Sequence, residues 1–200
     1  MFFRIYKAVK LFTALMRNKE KMNKYLAYTF LYDDSADLRC DFEILTDEIS
    51  SMIGLLRSLL DETDKKSDPE LEENLCKINE LMYHINPSLR TTITVSEKEL
   101  EWLLLKINEL QKIIEQKPTA EKNQAFFVPQ GCTQAAYSHV IRNRCKALVR
   151  LLSRYQQQGN TVDEILFDFI NLYSGYFYFL SLWFNKNHGI EERSFISRVY

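Results

Sequence analysis

Three basic residues in the second half of the chain are spaced to share one face of a helix. Arg142, Lys146 and Arg150 follow one another at intervals of four, which on a helix stacks side chains about 6 Å apart. Because like charges held so close repel, this cationic stripe predicts either an anionic partner or carboxylates from another helix. The alternative is a solvated basic face, and the spacing alone does not separate the two interpretations.

Loops that bind phosphate need clustered glycines, because several backbone N–H groups must approach the anion closely. The five glycines of this chain are too dispersed for that: they are Gly54, Gly131, Gly159, Gly175 and Gly189. The three histidines and four cysteines are also scattered, with no C-x-x-C pair, so we predict no metal site. We interpret the cysteines as reduced, mostly buried thiols of a cytoplasmic protein.

The bulk composition is that of a globular, helical protein. Of 200 residues, 46% are hydrophobic and 26% are charged, which argues against disorder. The scarcity of glycine and proline, five and four residues, favours long helices over strands and turns. A formal net charge of −1 gives no chain-wide electrostatic footprint for nucleic acid.

Apolar periodicity predicts five core helices in the region 35–190. They begin near Leu38, Leu71, Ser96, Thr133 and Thr161. A charged loop is expected from Asp61 to Asp68, and Ser96 with Glu99 predicts a capping box. The most apolar stretch, Ile165 to Phe184, is interpreted as a buried core helix, because an aspartate inside a membrane span would be costly.

Residues 1–34 form a separate basic extension. Its first 25 residues carry seven lysines and arginines against one glutamate, with apolar residues at helical spacing between them. We predict an extra amphipathic helix packed on the bundle, and the alternative is an arm that contacts a partner or a membrane surface. Residues 191–200 are expected to be an irregular tail.

Three segments in register resemble the PduO-type ATP:cob(I)alamin adenosyltransferase family. The string FFVPQGCTQAAYSHVIRNRCKALVR resembles the family's F-[IV]-L-P-G-G-[ST]-x-x-A-A-x-L-H-x-A-R-T-x-x-R-R-A-E-R. Upstream, DLRCDFEILTDEISSMIGLLRSLL is similar to D-x-R-V-E-A-Y-G-T-I-D-E-L-N-S-x-I-G-L-A-R. Downstream, INLYSGYFYFLSLWFN is similar to L-N-R-L-S-D-x-L-F-x-L-A-R-x-x-N, and the likeness covers about residues 36–190.

The resemblance implies a trimer of five-helix bundles that binds ATP and a corrinoid between neighbouring subunits. Such enzymes transfer the 5′-deoxyadenosyl group of ATP to the cobalt of cob(I)alamin and release triphosphate. Phe126 would then crowd the lower face of the corrin and keep cobalt four-coordinate, and Lys146 would act on the triphosphate. The residues implied in binding ATP, the corrinoid or the neighbouring subunit are Arg142, Arg150, Asn171, His139, Asp47 and Glu48, with Asp47 and Arg142 paired across the subunit interface.

The same alignment shows where the ATP site departs from the family. The family's T-R-T-G-D-x-G-x-T phosphate loop corresponds to KYLAYTFLYDDSADLR, which has no glycine. Four further family positions that carry charge hold Ala147, Val149, Leu172 and Gly175 instead. Because each electrostatic donor is worth about 2.7–4 kcal/mol in a transition state, the sequence predicts corrinoid binding more firmly than ATP or magnesium binding.

Three hypotheses follow from this sequence. In the first, the chain is an adenosyltransferase whose altered ATP site is completed by its basic extension. In the second, it is a non-catalytic corrinoid-binding protein or a partner subunit of an active homologue. In the third hypothesis it shares only the fold, and no function is inferred.

Overall fold

The computed structural model describes residue 34 and residues 36–115 and 126–198. Leu38–Tyr200 forms one compact unit, and Met1–Asp37 forms a second unit of which three residues are described. The basic extension predicted over residues 1–34 therefore lies almost wholly outside the described residues, and its helix stays a prediction.

The described residues form five long helices and one short one, which confirms the all-α prediction. The helices are α1 (Leu38–Ser58), α2 (Glu62–Ser67), α3 (Leu71–Ile85), α4 (Glu97–Glu115), α5 (Thr133–Gln157) and α6 (Glu164–Asn187). A 3-10 turn, Asn86–Leu89, follows α3 where the sequence predicts a break. In the described part of the chain the β structure amounts to one isolated bridge, between Phe127 and Ser194.

The helices pack in the spatial order α3, α1, α5, α6, α4. Each buries the apolar stripe that its periodicity predicts, because a helix presents residues three and four apart on one face. On α1 the buried apolar side chains are Leu38, Cys40, Phe42, Leu45, Ile49, Ile53 and Leu56. The bundle therefore has α5, the helix with the cationic stripe, in its middle layer.

Helix α6 is the aromatic centre of the core. It lies against both α5 and α4 and buries Phe169, Tyr173, Phe177, Trp183 and Phe184. By length and composition it is the one helix in the described ranges that could cross a membrane, yet 56% of its most apolar 18-residue stretch is buried in the chain. The buried Tyr173 hydroxyl donates a hydrogen bond to the Ile78 carbonyl at 2.7 Å, so α6 also reaches α3 through the core.

The prediction of a loop from Asp61 to Asp68 is wrong, because this segment contains the short helix α2. Asp61 Oδ1 accepts hydrogen bonds from the backbone N–H groups of Thr63 at 2.8 Å and Asp64 at 3.0 Å. Asp64 Oδ2 in turn accepts from the Asp61 N–H at 3.1 Å. This reciprocal capping satisfies the N–H groups that a helix of six residues would otherwise leave unpaired.

Two other helix starts differ in detail from their predictions. Helix α6 begins at Glu164 rather than Thr161, because Asp163 is the residue whose carboxylate accepts from the Ile165 N–H at 3.0 Å. At α4 only half of the predicted capping box forms: Glu99 Oε2 accepts from the Ser96 N–H at 2.8 Å and from its hydroxyl at 2.7 Å.

No disulfide joins the four cysteines. Cys40 and Cys145 are buried and Cys132 is half-buried, but Cys76 is exposed. The thiols are therefore mostly buried, as predicted, and Cys76 on α3 is the exception.

Candidate functional site

The cationic stripe lies on α5 and receives no carboxylate from the described part of the chain. Arg142 is half-buried, whereas Lys146 and Arg150 are exposed. Within the described ranges none of the three forms an ion pair, although five other pairs join basic and acidic residues of the bundle and His188 contacts two aspartates. The pKa of Lys146 is lowered by burial and then by the charge of Arg142. The stripe is therefore a concentration of unneutralised positive charge that suits an anion.

The short connection between α5 and α6 determines which residues of α6 lie beside the cationic stripe. Arg150 lies seven residues before the end of α5 and Asn171 seven residues after the start of α6. Because antiparallel helices with equal rise bring such residues to one level, exposed Asn171 lies level with Arg150. The same counting places Arg142 level with Phe179, and the Arg142 guanidinium lies 5.2 Å from the centroid of the ring of Tyr178, the preceding residue.

His139 lies one turn before Arg142 and is almost fully buried. Its ring meets the Tyr178 ring edge-on with centroids 6.4 Å apart, and in the described part of the chain neither ring nitrogen has a hydrogen-bond partner. Burial, followed by the charge of Arg142, lowers the pKa of His139. At neutral pH the imidazole is therefore uncharged, and both of its nitrogens are buried.

This lowered pKa predicts a pH-dependent stability. Below the ordinary histidine pKa of about 6.5, His139 is protonated in the unfolded chain. In the folded chain its lower pKa keeps it unprotonated to a lower pH. The free energy of unfolding should therefore fall as pH falls from 7.5 to 5.5. In His139→Gln this fall should be smaller, as measured by urea unfolding at both pH values. An equal fall in both proteins would contradict the assignment.

Phe126 begins the turn that leads into α5 and projects into solvent, with 75% of its surface exposed. The turn ends at Gly131, whose φ of 126° lies in the region that L side chains rarely adopt. One exposed apolar side chain is ordinary on a protein surface, whereas several that lie together often mark a contact surface.

The C-terminal tail pairs with the Phe126 turn, and the sequence reasoning missed this. The Val128 N–H donates to the Arg193 carbonyl at 2.8 Å, and the Phe195 N–H donates to the Phe126 carbonyl at 2.6 Å. With Phe127 opposite Ser194, antiparallel pairing sets Phe126 opposite Phe195 on one face. Phe195 and the adjacent Ile196 are 52% and 86% exposed, so we call Phe126, Phe195 and Ile196 the apolar wall. The sequence signal was the pair of consecutive apolar residues Phe195 and Ile196 within the polar stretch 191–198.

The acidic candidates of α1 are engaged elsewhere in the single chain. Glu48 Oε2 pairs with the Arg144 guanidinium, and Asp47 Oδ1 accepts from the Tyr83 hydroxyl at 3.2 Å. That bond to a carboxylate raises the pKa of Tyr83. Asp47 and Arg142 do not pair within the chain, so their predicted bridge between subunits stays a prediction.

A buried polar network ties the start of α5 to two other segments. Asp64 is fully buried; its Oδ1 lies 3.1 Å from His188 Nε2, and its Oδ2 accepts from Gln134 Nε2 at 3.1 Å. Asp61, Asp64 and His188 are close enough to suggest metal ligands. The carboxylate oxygens of Asp61 and Asp64 already contact backbone N–H groups, Gln134 or His188. We therefore interpret the network as structural.

None of the predicted site residues lines either of two surface clefts of about 550 and 540 Å³. These clefts lie between α3 and α4 and are lined by residues such as Glu70, Lys77, Trp102 and Lys106. In the single chain the cationic stripe and the apolar wall instead form an open surface on and beside α5.

A family model described as cobalamin adenosyltransferase matches residues 34–184. That range covers three quarters of the sequence and contains α1 to α5 and most of α6. The chain is a member of the cobalamin adenosyltransferase family. A comparison with curated proteins finds no significant match.

Solved structures of this fold agree with the family assignment. A variant of the PduO-type ATP:co(I)rrinoid adenosyltransferase from Lactobacillus reuteri complexed with ATP is 21% identical, with a TM-score of 0.69 over 80% of this chain and 89% of that one. Another variant of that enzyme, complexed with cobalamin and ATP, is 17% identical, with a TM-score of 0.72 over 87% and 100%. At such identities the likeness shows that this adenosyltransferase family member shares their helical fold.

Proposed function

We propose that the chain binds cob(I)alamin and transfers to its cobalt the 5′-deoxyadenosyl group of ATP. The observation that carries the proposal is the placement of an exposed aromatic wall at one end of α5 and an unneutralised cationic stripe farther along the same helix. A substrate pair with a large apolar macrocycle and a polyanion fits that combination.

The cationic stripe would act on the triphosphate. In the reaction the cobalt of cob(I)alamin attacks C5′ of ATP, the C5′–O bond breaks, and its electron pair leaves with triphosphate. Negative charge therefore grows on the oxygen that departs, and cations already in place stabilise it without reorganising. Lys146 and Arg150 would bind the triphosphate directly, with Asn171 at the level of Arg150.

The apolar wall would act on the corrin. Phe126 and Phe195 present two aromatic side chains on one face of a short backbone pairing, and Ile196 exposes a further apolar side chain next to Phe195. An apolar surface against the lower face of the macrocycle leaves no donor atom for cobalt and excludes water, so the metal would stay four-coordinate and able to react.

The altered ATP site argues for a different set of phosphate contacts from that of the family. Ala147, Val149, Leu172 and Gly175 offer no charge, and the described residues place no group of carboxylates along the cationic stripe. The first 25 residues of the basic extension carry seven lysines and arginines against one glutamate, and we propose that they supply the missing contacts. The alternative is a role at a membrane surface or a partner.

The experiment is to mix the protein with ATP, magnesium and chemically reduced cobalamin and to follow the adenosylcobalamin absorption spectrum. Product formation supports the proposal. Absence of product, under conditions where a standard family enzyme turns over, would refute it.

The replaced charges favour a second candidate, a corrinoid-binding subunit without activity. In that case cobalamin should bind while ATP does not, and mixing with an active homologue should give a hetero-oligomer. A protein that binds neither ligand would share only the fold. The absence of disulfides suits our further proposal that the protein works in the cytoplasm.

We also propose that the chain assembles as a homotrimer through a face formed by α1 and α5. Ile44, Glu48 and Leu55 share one side of α1, and Val140 and Arg144 share one side of α5. The Glu48–Arg144 ion pair joins the two sides, while Ile44, Leu55 and Val140 remain exposed. Such a mixed apolar and charged face is typical of subunit interfaces.

Asp47 lies one residue from this face, and its exposed carboxylate, which accepts from the Tyr83 hydroxyl, would also accept from Arg142 of a neighbouring subunit. We therefore expect Asp47→Ala to shift sedimentation velocity profiles from trimer toward monomer at micromolar concentration. Glu101→Ala, which removes an exposed carboxylate of α4 at the other edge of the bundle, is the matched control. An unchanged trimer in Asp47→Ala would count against the pairing.

A further inference from the structure

Asn185 is a buried amide whose polar atoms are all used between segments. It is 1% exposed and lies near the end of α6. Its Oδ1 accepts from the Cys132 N–H at 3.1 Å, and its Nδ2 donates to the Gln130 carbonyl at 3.0 Å and to Glu192 Oε1 at 2.9 Å. One side chain thus uses both donor hydrogens and its acceptor oxygen.

The turn at Gly131 is built around this amide. A Cβ atom added at Gly131 would lie 1.8 Å from Asn185 Oδ1, far inside van der Waals contact. The Asn185 amide therefore occupies the space that a side chain at position 131 would need. Its hydrogen bonds to the backbone of Gln130 and Cys132, on either side of Gly131, hold the turn to α6.

Asn185 also holds the tail. Besides the bond to Glu192, its own carbonyl accepts from the Ile190 N–H at 2.8 Å. Immediately beyond Glu192 the tail pairs with residues 126–128 through the bonds of Arg193 and Phe195. Turn and tail are thus joined twice, inside through the Asn185 amide and outside through the backbone pairing.

We propose that Asn185 is the positioning residue of the apolar wall: it sets where Phe126 and Phe195 stand and so controls the coordination of the bound corrinoid. It acts through the turn and the tail and does not touch the corrin. The effect on cobalt rests on the proposed function, whereas the effect on the wall does not.

The test replaces Asn185 by aspartate, which keeps the shape but turns an oxygen toward the Gln130 carbonyl and the Glu192 carboxylate. Hydrogen exchange, followed by mass spectrometry, should then be at least about tenfold faster in peptides covering 126–131 and 190–197, because opening of this pairing frees its amides. Exposed Asn108→Asp on α4 is the matched control and should leave both peptides unchanged. Equal protection in Asn185→Asp and wild type would overturn the proposal.

A second readout uses cob(II)alamin with ATP, whose electron paramagnetic resonance spectrum distinguishes four-coordinate from five-coordinate cobalt. The four-coordinate fraction should fall about fivefold or more in Asn185→Asp, with ATP affinity within about twofold of wild type. Adding Glu192→Gln, whose amide can donate to Asp at position 185, should recover part of both the protection and the fraction. A fraction that stays at the wild-type level while the peptides lose protection would overturn the role at cobalt.

If Asn185→Asp does not fold, Asn185→Ser removes the same contacts without adding a charge and is judged by the same criteria. If the wild type itself gives no four-coordinate cobalt and no adenosylcobalamin, the proposed function fails. The exchange experiment then still decides whether Asn185 positions the wall.

Discussion

Replacing Lys146 by alanine is expected to lower the rate of adenosyl transfer about 100-fold, the largest effect on activity that we foresee. Lys146 is the middle member of the cationic stripe and has no carboxylate partner in the described part of the chain. Removing one electrostatic donor to a developing anion costs about 10²–10³ in rate in well-studied cases. Single-turnover kinetics with saturating ATP and cob(I)alamin would measure it.

Two controls define this prediction. Lys146→Arg restores the residue type of the family motif and should stay within about tenfold of wild type, although arginine and lysine differ in geometry. Lys66→Ala removes an exposed lysine of α2 and should change nothing. A Lys146→Ala rate within threefold of wild type would remove Lys146 from the proposed mechanism and leave the stripe as a solvated face.

Replacing Gly131 by alanine should lower the free energy of unfolding by about 3 kcal/mol, the largest effect on stability from a single added methyl group. Two costs combine. A non-glycine residue at a φ of 126° is strained by about 1–3 kcal/mol. The new Cβ also displaces the buried Asn185 amide, and a buried polar group left unpaired costs about 1–3 kcal/mol. Urea unfolding at a fixed protein concentration would measure the loss.

Gly54→Ala is the matched control for the same chemical change. Gly54 lies inside α1, and a Cβ there would meet nothing within 4 Å. Alanine should therefore stabilise the helix, by about 0.5–1 kcal/mol. If the two variants had the same stability, the strain assigned to Gly131 would be wrong.

The helices could be predicted because their signals are local. Apolar residues at spacings of three and four mark the buried face of α1, and Gly159, with a φ of 89°, ends α5 where the sequence suggests. Helix α2 was missed because its capping residues, Asp61 and Asp64, look like ordinary members of a charged loop. Which carboxylate caps and which is solvated depends on backbone geometry that composition does not encode.

The candidate site could be predicted only in part, because its two halves carry different signals. The cationic stripe is periodic on one helix and was visible from spacing. The apolar wall depends on the backbone pairing of residues 126–128 with residues 193–195. These segments are more than sixty positions apart in the sequence, and no local pattern predicts that they pair. The Asn185 amide was visible as a motif match, but its role needed the three contacts that the fold gives it.

The double attachment of the turn and tail has a thermodynamic consequence. The backbone that carries Phe126 and Phe195 is already ordered by hydrogen bonds within the chain, so a ligand that contacts both rings does not have to order it. Conformational entropy that a mobile loop would lose on binding is lost during folding instead. A weakly polar macrocycle can then bind by surface complementarity alone. Its release leaves the turn and tail ordered, so the next macrocycle binds to a surface that is already formed.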